Sequence, residues 1–384
     1  MRRLFLTQDE KWRRGLMDRM RVLTMHVAID VLEAAVLGNH LHVVAATHPD
    51  LAALWDGREV ARRYRSLCPD HAWRIRRKIA IDLPAQPEEI EKAVADPLLI
   101  AKWREELSSL SFFHKLLKQK IARAINLAAD ATGHCWEGRF KSIVALDDDA
   151  VIAHMVYVAL NPVRASIADA LDEYEFATVA ERVEDLKRRI ANGEFAGEAA
   201  AARERLRDAQ LLPAMPRHPG PAVSAMPVLP GGVENPWLNG RIPPVIEGSS
   251  LAAFLHDIDA EGREPAFGKS GCIPESTPRV LAQLDAELAV FAVEQTAASP
   301  LMRAARSITA KLDRAMSRAR NGAWGNFSGS ARSLAEHARA TGRKFAVGIF
   351  GDAEDDSGRR VKAAAANRDG QAAATAQTPR LLAT

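Results

Sequence analysis

The sequence predicts an α+β fold built around one small antiparallel sheet. Three observations point to it. Apolar residues recur at helical spacing behind capping signals, β-branched runs alternate with them, and the first 180 residues read helix, strand, helix, strand, helix. Thr7-Gln8-Asp9-Glu10 has the form of a capping box, a hydroxyl followed three residues on by a carboxylate. Behind it Trp12, Leu16, Met20 and Leu23 mark a first helix of about four turns. HVAIDVLEAAVLGNHLHVVAA then reads as two strands, or one long bent strand, with Gly38-Asn39 at the bend. Residues 50 to 107 are charged and irregular, with helical patches at Glu59–Tyr64 and Glu88–Val94, and read as an insertion.

From Ser108 the pattern sharpens. Ser108 or Ser109 caps a helix whose stripe is Phe113, Leu117, Ile121 and Ile125, with Lys115, Lys118 and Arg123 off that stripe. GHCWEGRFKSIVAL follows as a turn and strand. Asp147-Asp148-Asp149 sets carboxylates where a helix N-terminus favours negative charge. That helix runs through VIAHMVYVAL and stops near Asn161, because Pro162 follows.

The rest of the chain reads differently. A charged, Ala-rich helical extension covers 181–211, and nine of the 20 prolines fall between Pro213 and Pro244, so 212–248 reads as a linker. Residues 249–350 suggest a small basic helical region, and 351–384 a disordered tail. The domain division expected is therefore 1–180, with 50–107 inserted, followed by these four pieces.

Composition excludes some classes. The net charge of +3 names no partner, but its distribution is uneven. From Arg58 to Lys78 there are eight Lys/Arg against two acids, and from Lys102 to Lys141 eight against four. From Leu301 to Phe350 the count is ten against two, a pattern that suits a polyanion as well as a solvated face. Cys68, Cys135 and Cys272 share no ligand spacing and read as reduced thiols. No leader or membrane-spanning run is visible, so a soluble cytoplasmic protein with no membrane partner is expected.

Three constellations carry chemistry. In a strand, His40 and His42 project to the same side, which suits a divalent metal; two hydrogen-bonded histidines on a solvated face would give the same spacing. In HMVYVALNPVR, Tyr157 and Asn161 share a helix face and His154 lies one turn before Tyr157. Beside a metal the phenol is a nucleophile and the carboxamide oxygen a ligand; otherwise Tyr157 is a core tyrosine with a satisfied hydroxyl. In HCWEGRFKS, Arg139 and Lys141 alternate with Trp136 and Phe140, which suits single-stranded nucleic acid or an edge strand with snorkelling cations. A hydrolytic metal site at the two histidines ranks last, since no carboxylate neighbour suits general-base work.

Taken in order, NHLHVV, SFFHKLLKQKIARAIN, TGHCWEGRFKS and YVALNPVRAS resemble the HUH-type single-tyrosine transposases, and more closely their REP-associated, insertion-sequence-200-like branch. The resemblance covers about Arg2 to Ala180. It implies a ferredoxin-like (RRM-like) antiparallel sheet with helices on one face, followed by a mostly helical and disordered C-terminal region. It also implies a metal-dependent transposase that cleaves and rejoins single-stranded DNA near hairpins. By position, His40, His42 and Asn161 would bind Mg²⁺ or Mn²⁺, Tyr157 would form a 5′-phosphotyrosine, and Lys115, Lys118, Arg139 and Lys141 would meet DNA. A homodimer is the expected assembly. In the family a further strand, inside the sheet, precedes the segment matching Arg2–Leu6, and this sequence has no room for it after Met1. Either the start lies upstream, or another segment takes that place, or the chain is an inactive descendant that only binds structured DNA.

Overall fold

The computed structural model describes residues 6, 9–138, 140–266, 269–290, 327–341, 353–354, 360–361 and 380–383. The expected cap Thr7, the candidate DNA contact Arg139, most of the basic 301–342 stretch and most of the 351–384 tail lie outside the described residues. The chain forms two compact units, each discontinuous in sequence. One takes residues 1–31, 46–140 and 215–243; the other takes 32–45, 141–214 and 244–384. Strands β1 (Ile29–Val36) and β2 (Leu41–Thr47) contribute residues to both. Among the described residues no helix is long and apolar enough to cross a membrane, and all three cysteines are free thiols.

The first unit is helical. Helix α1 (Glu10–Thr24) starts behind Asp9, whose carboxylate accepts from the Lys11 N–H at 2.9 Å, and buries Leu16, Met17, Met20 and Leu23. The charged stretch after residue 50 is ordered as α2 (Pro49–Leu54), α3 (Gly57–Leu67), α4 (His71–Arg76), α5 (Pro87–Val94) and α6 (Pro97–Leu107). Aspartates 56, 70 and 96 cap α3, α4 and α6 in turn. The ring of Tyr64 stacks on Trp103 at 4.2 Å and on Phe112 at 5.4 Å, tying α3 and α6 to α7 (Leu110–Ala128). Two arginines here are fully buried. Arg63 lies 4.0 Å over the Trp55 ring and donates to Glu59, and Arg74 donates to both oxygens of Glu89. Losing either carboxylate would strand a buried charge at a cost of about 3–5 kcal/mol.

The second unit holds most of the main, five-stranded sheet. Its strands are β1, β2, β3 (Ser142–Ala145), β4 (Phe327–Ser328) and β5 (Arg380–Ala383), in the spatial order β1-β2-β5-β3-β4. β3 runs antiparallel to β5 (Ile143 opposite Leu382) but parallel to β4 (Val144 opposite Phe327). The sheet is therefore mixed, not wholly antiparallel as expected, because β4 and β5 arrive from beyond residue 320. The slot between β2 and β3 is filled by β5. The free edge of β1 is covered: Val36 N–H donates to Phe176 O at 2.9 Å, Ala34 N–H to Thr178 Oγ1, and Tyr174 Oη to Val36 O. Beneath it, Glu33 has no exposed surface and accepts from Thr178 and Arg182.

Helix α8 (Asp148–Ala159) packs on β3. Its cap Asp147 accepts from Ala150 N–H at 2.9 Å and also holds Ser330 and Ser333, at the start of helix α12 (Ala331–Ala340). α8 ends at Ala159, and Pro162 opens a separate single turn, Asn161–Arg164. The unit is completed by α9 (Thr178–Ala191), α10 (Ala199–Asp208) and α11 (Leu251–Arg263).

Two further expectations change. The proline-rich stretch is not a free linker. Met215, Val223 and Trp237 are core residues of the first unit, and Val245 and Ile246 of the second. Its prolines fix turns between those anchors, which lowers the entropy lost on packing them. The described residues of 131–141 are not strand: 131–138 and 140–141 are irregular, and β3 begins at Ser142.

Candidate functional site

The histidine pair sits at a hairpin. Leu37 N–H donates to His40 O at 2.9 Å, closing the turn, and β2 begins at the next residue. His40 and His42 therefore project to one side, with ring centroids 4.8 Å apart at 85°. His40 is exposed and His42 is buried. His40 Nδ1 lies 2.6 Å from Asn39 Oδ1, which leaves its Nε2 as the acceptor nitrogen of a neutral ring. Burial first, then the charges of His40 and Lys269, hold His42 well below the usual imidazole range. It is neutral at pH 7, the form that ligates metal, and its buried Nδ1 has no hydrogen-bond partner.

Helix α8 brings Tyr157 to this pair. The phenol ring meets His42 edge-on, at 5.6 Å and 88°, with 7% of the residue exposed. Asn161, in the turn after α8, is buried; its Nδ2 donates to Tyr157 O at 3.3 Å and its Oδ1 accepts no hydrogen bond among the described residues. His154 points elsewhere. Its Nε2 lies 2.6 Å from Ser328 Oγ, and burial lowers its pKa to about 3, which makes it a poor base at neutral pH.

The structure thus gathers His40, His42 and Tyr157 and ties Asn161 to the Tyr157 backbone. The donor set fits a divalent cation in kind: two imidazoles, one with an orphaned buried nitrogen, and a carboxamide oxygen. Among the described residues no third His, Cys, Asp or Glu joins them. A mixed nitrogen and oxygen set suits Mn²⁺ better than Mg²⁺, which prefers all-oxygen shells.

The candidate DNA contacts are distributed differently. Lys115 and Lys118 belong to the first unit and Lys141 to the second. Lys115 and Lys141 are exposed. Lys118 is half-buried with Nζ 5.1 Å over the Trp136 ring, while Trp136 Nε1 donates to Lys118 O. Phe140 stacks on His114 at 4.3 Å. Both aromatic rings are thus engaged within the protein, not aligned on a strand as the alternating pattern suggested.

One residue near the site had no sequence signal. Lys269 places Nζ 5.7 Å from the centroid of the Tyr157 ring. It lies in an aperiodic Gly-Lys-Ser-Gly stretch beyond the region of resemblance, so neither spacing nor motif marks it.

No family model, no curated protein and no solved structure matches this chain.

Proposed function

We propose that this protein is a metal-dependent transposase that cleaves and rejoins single-stranded DNA near hairpins through Tyr157. The observation that carries the proposal is the edge-on meeting of the Tyr157 ring with His42, itself 4.8 Å from His40. Chain segments far apart in sequence bring a potential nucleophile and a chelating pair together, and the motifs that supply them are those of the resemblance.

In the proposed reaction His40, His42 and Asn161 hold the cation, and Tyr157 Oη attacks a backbone phosphorus in line. When bound, the cation draws charge from a non-bridging phosphate oxygen. The Oη–P bond forms and the P–O3′ bond breaks. The proton lost by the phenol is matched by the one the leaving 3′ oxygen takes up, so no co-reactant is needed. His42, kept neutral by burial, orients the phenol ring across its edge. Lys115, Lys118, Arg139 and Lys141 are proposed to hold the DNA backbone. A ferredoxin-like sheet, a homodimer and action in the cytoplasm are parts of the same proposal. The packing of α8, which carries Tyr157, against β3 supports the first of these.

The test mixes purified protein with labelled hairpin DNA from beside its gene and Mn²⁺ or Mg²⁺. A covalent protein–DNA band on a denaturing gel, absent in Tyr157→Phe and His40→Ala, is expected. DNA binding that persists with no band in the unsubstituted protein would leave only a binder of structured DNA.

A further inference from the structure

The segment that carries Lys269 is built into the candidate site from outside the region of resemblance, and several contacts fix its course. Arg164, buried in the turn after α8, donates through Nη1 to Glu264 O at 2.5 Å and through Nη2 to Glu261 O at 2.8 Å. It thereby caps the C-terminus of α11 with a guanidinium, where the last carbonyls lack helical partners. Further on, Ser270 Oγ lies 2.9 Å from Ser166 Oγ, and Ile273 N–H returns to Gly262 O at 2.8 Å. Between them Gly271 presses on the Val163–Ser166 turn so closely that a Cβ would stand 1.8 Å from Val163 O and 2.9 Å from Ser166 N. Only glycine fits there. The segment is clamped to the turn that immediately follows the tyrosine helix, and Lys269 lies between the clamps.

Resting over a phenol gains a lysine about 0.5–1 kcal/mol when exposed and about 2 kcal/mol when desolvated, and neither needs a fixed backbone. The anchoring around it is far more specific than that contact requires. The ring under the ammonium is the one that meets His42 edge-on at 5.6 Å, so the lysine stands one ring away from the candidate cation ligands. A second positive group there has an evident use, since attack on a phosphodiester builds negative charge on the non-bridging oxygens.

We propose that Lys269 contacts the phosphate under attack, and that Arg164 and Gly271 are positioning residues which deliver it. This rests on the reading of Tyr157 as a nucleophile for DNA phosphate. On it, residues 261–266 and 269–273 complete the active site, and the transposase-like segment alone lacks one of its cations. The ligand class is the phosphodiester of single-stranded DNA, held by a point charge that reads no base.

The experiment uses the full chain, the same labelled hairpin DNA and Mn²⁺. Single-turnover rates of adduct formation are measured for Lys269→Gln, Lys269→Arg and Gly271→Ala, alongside DNA affinity at several salt concentrations and the thermal midpoint of each variant. Lys269→Gln should slow adduct formation by about 10²-fold, the usual loss on removing one preorganised donor. Lys269→Arg should recover most of the rate. Gly271→Ala should lose rate like Lys269→Gln although Lys269 is still present. The salt slope of binding should flatten by about 0.7 in Lys269→Gln, one phosphate on a single strand. Unchanged rate and slope in Lys269→Gln would overturn the proposal. If the unsubstituted protein forms no adduct, the nucleophile reading fails, and the slope measured without metal then decides for Lys269. A flattened slope keeps its phosphate contact, and an unchanged one removes it.

Discussion

His154 on α8 and Ser328 on β4 share a hydrogen bond of 2.6 Å between two residues with no exposed surface. The bond fastens the tyrosine helix to a strand that lies far along the chain. The other ring nitrogen, Nδ1, is buried without a partner. Ser328→Ala would therefore leave both nitrogens unsatisfied, at a cost of about 1–3 kcal/mol. A lower urea midpoint at pH 7, equivalent to that loss in unfolding free energy, is expected. An unchanged midpoint would show that the bond does not form in solution.

Four histidines make the fold acid-sensitive. Burial lowers His154 and His114 to about 3 and His26 to about 4, and holds His42 well below 6.5. All four are neutral in the folded chain at pH 7. As pH falls through 6.5 the unfolded chain takes up protons that the folded chain refuses, so stability is full above 6.5 and is lost steadily below it. Each contributes a slope of at most about 1.4 kcal/mol per pH unit. Glu33 and Asp149, both raised by burial first, work in the opposite sense but are two groups against four. Thermal midpoints at pH 7.5, 6.0 and 5.0 should fall in that order. A flat series would mean that these rings reach water when folded.

Metal binding has its own readout. A cation held at 100 times its dissociation constant would stabilise the folded state by about 2.7 kcal/mol. The thermal midpoint should rise on adding Mn²⁺, more than on adding Mg²⁺, and return with a chelator. His42→Ala should abolish the rise. Equal shifts in that variant would place the cation elsewhere.

Arg19 makes the opposite point about charge. Its Nε and Nη2 are buried with no hydrogen-bond partner, and burial lowers its pKa. A half-buried guanidinium with two buried, unpaired nitrogens opposes folding, whereas methionine fills similar space without a charge to desolvate. Arg19→Met is expected to raise stability by about 1 kcal/mol, visible as a higher urea midpoint. A lower midpoint would reveal a partner that forms only in solution.

What was legible in the sequence was local. Helices α1 and α7 follow from apolar spacing, α7 also from its Ser109 cap, and α8 from the carboxylates at its start, with Pro162 marking its end to within a few residues. The closeness of His40 to His42 and of Tyr157 to Asn161 was legible from spacing, although His40 lies in the turn before β2 and Asn161 in the turn after α8. Long-range pairing was not legible. β4 is two residues and β5 four, too short for any periodicity, and their places depend on partners more than 180 residues away. The proline-rich stretch misleads because composition reports backbone stiffness, while burial at Met215, Trp237 and Val245 depends on which cores lie within reach. Lys269 is invisible for the same reason: its position is set by what Arg164 and Gly271 hold.

The strand at Arg380–Ala383 has a temporal consequence. β2 ends at Thr47, so more than 300 residues must be made before the sheet receives the strand between β2 and β3. At ribosomal rates of about 5–20 residues per second that interval is on the order of tens of seconds. Once residue 159 is made, the histidine hairpin and the tyrosine helix exist on a sheet with an open middle, whose unpaired backbone groups invite other strands. A product ending before residue 380 keeps every candidate ligand and the nucleophile yet never closes that gap. Translation itself thus acts as a timer on the maturation of the site.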